Sequence, residues 1–304
     1  MAISELSNTQ HQAIKINPNA GVEYAKTQHL VNLRANEVAK AACDLPIFLA
    51  RNAHNGSYTI SGLTSFSAQQ SLFVSNNQWQ ALYTPVCMQT QPLYLLTREA
   101  NSSDYFIAID EQSSAVNTQQ GEPLFDAKGN PSLYLSAQQK LLESDLKNDY
   151  QTYQFTQEIA RLGLIKNIDI VLQFEQGEAQ TIQGLSTVDE DKLQTLDSDT
   201  IANLHKQGYL SVLNSMLISL FQLNALVKRH NQHHELMPLK QITRTVRCNL
   251  LISLHRLIRS HRQTLRLTRW RHTHVRQHFA VGGFFLCNRF NWWTYILEVP
   301  RPKP

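Results

Sequence analysis

The stretch Pro46-Ile-Phe-Leu-Ala-Arg-Asn-Ala-His-Asn-Gly-Ser-Tyr-Thr-Ile-Ser61 decides the class of fold. Pro46 to Ala50 is a short apolar run, and Ser57 to Ser61 carries Tyr, Thr and Ile, which fit a pleated, half-buried surface. Between them, Asn55-Gly56 is a dipeptide that tolerates the positive φ angles of a tight hairpin turn. The segment therefore reads as two antiparallel strands. Further strands lie on both sides. His29 to Leu33 alternates weakly, and Leu72–Ser75 and Trp79–Thr84 flank Asn76-Asn77-Gln78, a second tight-turn candidate. Pro92–Thr97 and Tyr105–Ile109 supply two more. Short strands joined mainly by turns predict a mainly antiparallel sheet in the N-terminal half.

Helical signals surround these strands. Ala35 to Cys43 consists of good helix formers and is stopped by Asp44 and Pro46. From about Ser136 to Leu162 the spacing of Leu142, Leu146, Tyr150 and Tyr153 marks one face of a long helix, with Gly163 placed to end it. Ile168–Phe174 and Ala179–Leu185 form a second hairpin around Gln176-Gly177. Asp189 starts a short helix, Ser198 caps another that ends at Gly208, and an amphipathic helix follows from Tyr209. Residues 1–28, polar and interrupted by Pro18 and Gly21, read as an extended arm or edge strand, and Gly121–Pro131 as a structured loop. The fold class is α+β.

The chain has 304 residues, 42% apolar and 17% charged, which excludes a disordered or collagen-like polypeptide. Its net charge of +4 conceals a division. Residues 1–235 hold 15 Lys and Arg against 23 Asp and Glu, whereas residues 236–304 hold 13 against one, Glu298. Met1–Gln10 has neither a basic start nor an apolar run, no apolar stretch reaches membrane-spanning length, and the four cysteines are widely spaced. A cytoplasmic protein with free thiols is the simplest expectation.

Nucleotide-binding and hydrolase signatures are missing: there is no phosphate loop, dinucleotide fingerprint or nucleophile elbow. Among acids, Asp110-Glu111 at a strand end and Asp126 in the Gly-rich loop are the best candidates to share a proton or hold a cation; the ordinary alternative is that they cap turns. Trp79 and Tyr83, four apart on one strand face with Pro85 nearby, could line a groove for a peptide or simply fill the core. His29 is a base without a visible partner. His230, His233 and His234 are crowded but lack the pattern of a complete metal site. No catalytic residue, cofactor or metal is assigned.

Landmarks spread along the acidic body resemble the SapC family of bacterial proteins. They are His29-Leu-Val-Asn-Leu33, Glu37, Ala41 and Asp44-Leu-Pro-Ile-Phe48; Leu72-Phe-Val74, Trp79 and Tyr83-Thr-Pro85; Ile109-Asp-Glu111, Gly121-Glu-Pro-Leu-Phe-Asp126 and Gly129. Gly184-Leu185, Val188-Asp-Glu190, Leu193, Leu204, Gly208, Leu210 and Ser219 complete the set, over about residues 6–232. Gln78 stands where members usually have glycine, and Gln91 where an aromatic residue often precedes the proline. The resemblance implies an accessory protein, named for a surface-layer gene cluster, that binds a peptide or protein partner in a surface-layer or outer-membrane-receptor pathway. An alternative it leaves open is an enzyme or enzyme subunit acting on a peptide with an iron-dependent hydroxylase. Some members carry a peptide-transporter permease label; the sequence argues against it, because no apolar segment is long enough to span a bilayer.

Residues 236–304 read differently. Eleven of the sixteen arginines and three of the four tryptophans, Trp270, Trp292 and Trp293, lie there. Asn249 is placed to cap a basic amphipathic helix from Leu250, suited to an anionic membrane surface, and arginine with tryptophan suits nucleic acid. The ordinary readings are a solvated, partly disordered tail or a frameshift or read-through extension, since the family resemblance closes near His230. If the extension is an artefact of coding, the protein purified from its own cells will show an intact mass corresponding to fewer than 304 residues; a full-length mass rejects that origin.

Overall fold

The computed structural model describes residues 2–52, 55–98, 104–175, 178–233, 239–246 and 295–298. Its centre is an antiparallel sheet of seven strands in the spatial order Tyr295–Glu298, Leu239–Val246, Ile165–Phe174, Gln180–Val188, Ile47–Arg51, Tyr58–Leu63, Leu30–Leu33. The first hairpin forms as its sequence dictates, with Ile47 opposite Gly62 and Arg51 opposite Tyr58. Gly62 has a packing reason to lack a side chain: a Cβ there would lie 2.9 Å from Leu45 Cδ1. The second hairpin pairs Ile165 with Val188 and Leu172 with Gln180, and a bulge interrupts it between Ile168 and Ile170. The sheet joins two hairpins that lie more than a hundred residues apart in sequence, through the pairs Leu185–Ala50 and Ser186–Leu49.

The sheet continues past residue 235, where the charge balance reverses. Leu239–Val246 pairs with Ile165–Phe174 along its length, and Leu239 and Ile242 are buried in the main core. The sheet therefore includes Leu239–Val246 and its partner Tyr295–Glu298 and does not end at the compositional boundary. The β-branched run Ile242-Thr-Arg-Thr-Val246 carries the local signal for this strand. Asn249, Trp270, Trp292, Trp293 and the basic helix expected from Leu250 lie outside the described residues.

The other strands of the N-terminal half form small sheets rather than extending the large one. Tyr105–Asp110 lies between Ile3–Glu5 and Leu93–Thr97, and Lys15–Ile16 lies between Val116–Asn117 and Glu122–Pro123. Residues 1–28 are thus not an extended arm. They also contain the helices Asn8–His11 and Ala20–Ala25, and they bury Ile16 and Ala25 completely. The expected strand Trp79–Thr84 shrinks to Gln78–Trp79, paired with Val74–Ser75 around Asn76 and Asn77, both at positive φ.

The long helix is Leu133–Arg161, about 43 Å at 1.5 Å per residue. Ser132 caps it by accepting a hydrogen bond from the Leu135 amide at 3.0 Å. Gly163, at φ 65°, closes it: the Leu164 amide bonds the Ile159 carbonyl and the Gly163 amide bonds the Ala160 carbonyl. Its buried face differs from the expected one. Tyr150 and Tyr153 are 62% and 55% exposed, and the C-terminal half buries Thr152, Phe155, Thr156 and Ile159 instead. The reason is that the helix serves two cores. Leu135 and Leu142 enter a small cluster with Ile16, Leu93, Ile109 and Leu124, whereas Phe155 and Ile159 enter the main core with Phe48 and Ile60. At about 100° per residue these two sets lie about 130° apart around the axis, more than a third of a turn, so no single stripe describes the helix.

Among the described residues four helices, not three, follow the second hairpin: Glu190–Gln194, Ser198–Lys206, Tyr209–Ser219 and Gln222–His233. Asp197, one residue before the expected Ser198, caps the second through the Thr200 amide at 2.9 Å. The amphipathic segment from Tyr209 breaks into two helices inclined at 41°. At the break, buried Ser219 donates to the Met216 carbonyl and accepts from the Ile47 amide, at 2.6 and 2.9 Å, which ties the helices to the sheet. Among the described residues no single helix is long and apolar enough to cross a membrane, although this bent pair has the length and composition. Its residues Leu213, Met216, Leu223, Leu226 and Val227 are buried in the main core.

Ile242→Ala should destabilise the full chain by about 2–5 kcal/mol, the usual cost of emptying a packed core position. Urea denaturation followed by circular dichroism measures it; an unchanged midpoint would place Leu239–Val246 outside the cooperative unit.

Candidate functional site

The aromatic pair Trp79 and Tyr83 does not share a strand face. The chain folds back after Trp79, and the indole Nε1 donates to the Tyr83 carbonyl at 2.8 Å. Trp79 packs on Phe73 with ring centroids 5.7 Å apart, and both Trp79 and Tyr83 rest against the main core. The Tyr83 hydroxyl points inward and donates to Glu37 Oε1 at 2.8 Å. Burial, followed by the charge and hydrogen bond of Glu37, raises the pKa of this hydroxyl.

Glu37 is the group around which this region is organised. It is only 3% exposed and lies on the short 3-10 turn Ala35–Glu37. Its Oε2 accepts from the Arg34 amide at 2.6 Å; its Oε1 accepts from Tyr83 and from the Val86 amide, each at 2.8 Å. Arg34 in turn forms a two-pronged pair with Asp145 at 2.8 and 2.6 Å and also pairs with Asp149, both on the long helix. Cys87, beside them, has its thiol pushed up to about 12, first by burial and then by Glu37, and is a poor nucleophile at neutral pH. All the donors aimed at Glu37 come from the protein itself, so this cluster holds structure together rather than presenting a reactive group.

The three candidate acids go to separate duties. Asp110 is buried, and its Oδ1 accepts from the Ala2 and Gln112 amides at 3.1 and 3.2 Å. Asp126 is exposed and folds its own loop by accepting from the amides of Lys128 and Asn130, each at 2.8 Å. Hydrogen bonds from Asn130, backbone first, hold its carboxyl below the usual range. Glu111 accepts from the Ser4 hydroxyl and from His11 Nε2. Among the described residues no donor is shared between any two of the three carboxylates, although Ala2 bonds both the Asp110 carboxylate and the Glu111 amide. His29 lies before the edge strand Leu30–Leu33, where its carbonyl accepts from the Thr64 amide. His230 is buried between Phe66 and Phe174, His233 is exposed, and His234 lies outside the described residues. Among the described residues no group of three or more His, Cys, Asp or Glu is placed to hold a metal ion.

Of the sequence-selected residues, Glu111 opens onto a groove of about 830 Å³. This is within the usual range of ligand-binding clefts. One wall is Gln10, His11 and Ile14 at the first helix and its exit; the opposite wall is residues 116–120. Asn117 Oδ1 accepts from the amides of Gln119 and Gln120, both at 2.8 Å, and so shapes that wall. His11, 2% exposed, was not singled out by sequence reasoning, because its partner lies a hundred residues away. His11 Nδ1 faces the Ser7 amide at 3.0 Å and the Ser7 carbonyl at 3.2 Å, and Nε2 faces Glu111 Oε1 at 3.2 Å. Hydrogen bonds from Ser4 and then His11 hold the Glu111 carboxyl below its ordinary range. Sequence reasoning also left out Glu37 and Arg34 as site residues. The signal available was Glu37 three residues after Arg34, the spacing of a helix-start capping contact.

The family model SapC matches residues 6–226. No curated protein and no solved structure matches.

Glu37→Gln should destabilise the protein more than Tyr83→Phe. The amide turns a donor toward groups that are themselves donors, at a cost of about 2–4 kcal/mol, against about 1 kcal/mol for one lost hydroxyl bond. Chemical denaturation of both variants measures the order; the reverse order would remove Glu37 from the centre of the region.

Proposed function

This chain belongs to the SapC family, and from that premise we propose that it is a soluble, cytoplasmic, non-catalytic accessory protein that binds a peptide or protein partner in a surface-layer or outer-membrane-receptor pathway. The observation that carries the reading is the groove beside Glu111. Its lining combines amide side chains and an oriented carboxylate with the apolar Ile14 and Val116, a mixture that suits a peptide held by hydrogen bonds and apolar contact together.

The enzyme alternative needs Asp110, Glu111, Asp126 and His29 in one cleft. The separate hydrogen-bond partners of the three acids weigh against it, because general acids and bases must reach the same reacting atoms. Binding through the basic tail to a membrane surface or nucleic acid rests on residues outside the described ones. A deletion that probes it should span residues 247–294, which spares the sheet strands Leu239–Val246 and Tyr295–Glu298.

A photo-crosslinking amino acid at Gln119, on the groove wall, tests the accessory reading in cells that make the full chain. It should give a discrete adduct with one peptide or protein, identifiable by mass spectrometry. The same probe at exposed Tyr150 on the long helix should not give that adduct. Identical adducts from both positions would reject the groove as the contact site.

A further inference from the structure

In the Ser4–His11–Glu111 cluster, Ser4 donates its proton to Glu111, with His11 Nε2 3.4 Å from the hydroxyl oxygen. His11 Nε2 lies 3.2 Å from the same carboxylate oxygen, and Nδ1 faces both the amide and the carbonyl of Ser7. What the cluster does is orient a carboxylate. Both donors converge on Oε1 of Glu111, and Oε2 has no partner among the described residues.

The surroundings indicate what Oε2 would receive. Glu111 lines the groove and its side chain is 46% exposed. Among the described residues no lysine or arginine lines the groove, and Gln10, Asn117, Gln119 and Gln120 surround it with amide groups. Asp110, the neighbouring residue, adds a second acid behind the wall, where amides of Ala2 and Gln112 bind it. At the rim, Lys15 Nζ already donates to the Gln119 carbonyl at 3.0 Å, so this loop accepts hydrogen bonds from an ammonium group.

We propose that the groove seats a primary ammonium group of a bound peptide, donated to Glu111 Oε2 and neighbouring amide oxygens. The group comes from a lysine side chain or from a free amino terminus; the two present the same chemistry. This inference rests on the peptide-binding reading and adds the recognised group.

The test is a nuclear magnetic resonance titration of the full chain with three peptides, following the backbone amides of residues 10–14 and 116–120. Acetyl-Gly-Lys-Gly-amide carries only the side-chain ammonium, Gly-Ala-Gly-amide only the terminal one, and acetyl-Gly-Ala-Gly-amide neither. At least one charged peptide should shift these resonances more strongly than the neutral one, and the better of the two identifies the source. Glu111→Gln should weaken that binding at least tenfold, and Gln119→Lys, which places a competing cation on the wall, should weaken it too. Equal binding of all three peptides would overturn the ammonium seat while leaving peptide binding intact. Undiminished binding by a folded Glu111→Gln protein would also overturn it. If none of the peptides shifts the groove, both the seat and the peptide reading fall.

Discussion

A carboxylate removed from water must be met by donors, because an unpaired buried charge costs several kcal/mol. Glu37 imposes that requirement on the centre of this protein. Its three donors come from the turn after the edge strand, from the loop that carries Trp79 and Tyr83, and from the start of the helix Val86–Gln89. Arg34, on the same turn, holds the long helix through Asp145 and Asp149. Together with the Ala35 amide, which donates to Thr152 on the long helix, these bonds set four segments in register. Apolar contacts supply most of the stabilisation, but they are tolerant of sliding; the hydrogen bonds to Glu37 are directional and are not.

The long helix extends this constraint across the molecule. One end packs in the small cluster with the N-terminal residues, the other in the main core, and the Arg34 pairs lie between them. Its N-terminal half therefore positions the segment around Ile16, Leu93, Ile109 and Leu124 against which the groove is built. The groove joins residues that are remote in sequence: His11 and Glu111 are held by a bond across a hundred positions, and Ala2 is tied to Asp110. A binding surface made this way depends on the first strand and helix staying in place, which gives the N-terminal residues a direct part in the proposed function.

Much of the architecture was legible because its signals are local. Asn55-Gly56 and Asn76-Asn77 mark turns by their tolerance of positive φ, and Gly163 marks the end of a helix for the same reason. The strand Leu239–Val246 was obscured because composition, with its excess of arginine, spoke louder than a short β-branched run. The tyrosine face of the long helix misled because periodicity identifies faces without saying which neighbour each will meet. Trp79 and Tyr83 were correctly noticed as a pair, but alternation along a strand could not reveal that the indole turns back to the Tyr83 carbonyl.

By itself the sequence determined the α+β class, the two hairpins, the long helix and its cap, the split in charge, and the family resemblance that the match over residues 6–226 establishes. These follow from backbone preferences and side-chain patterns over a few neighbouring residues. Only the tertiary structure decided which acid does what: Glu37 is enclosed, Asp110 secures the N-terminus, Asp126 shapes its own loop, and Glu111 faces a groove with His11 beneath it. The physical reason is that a carboxylate's role is set by the donors and the water around it, and here most of those donors arrive from distant parts of the chain.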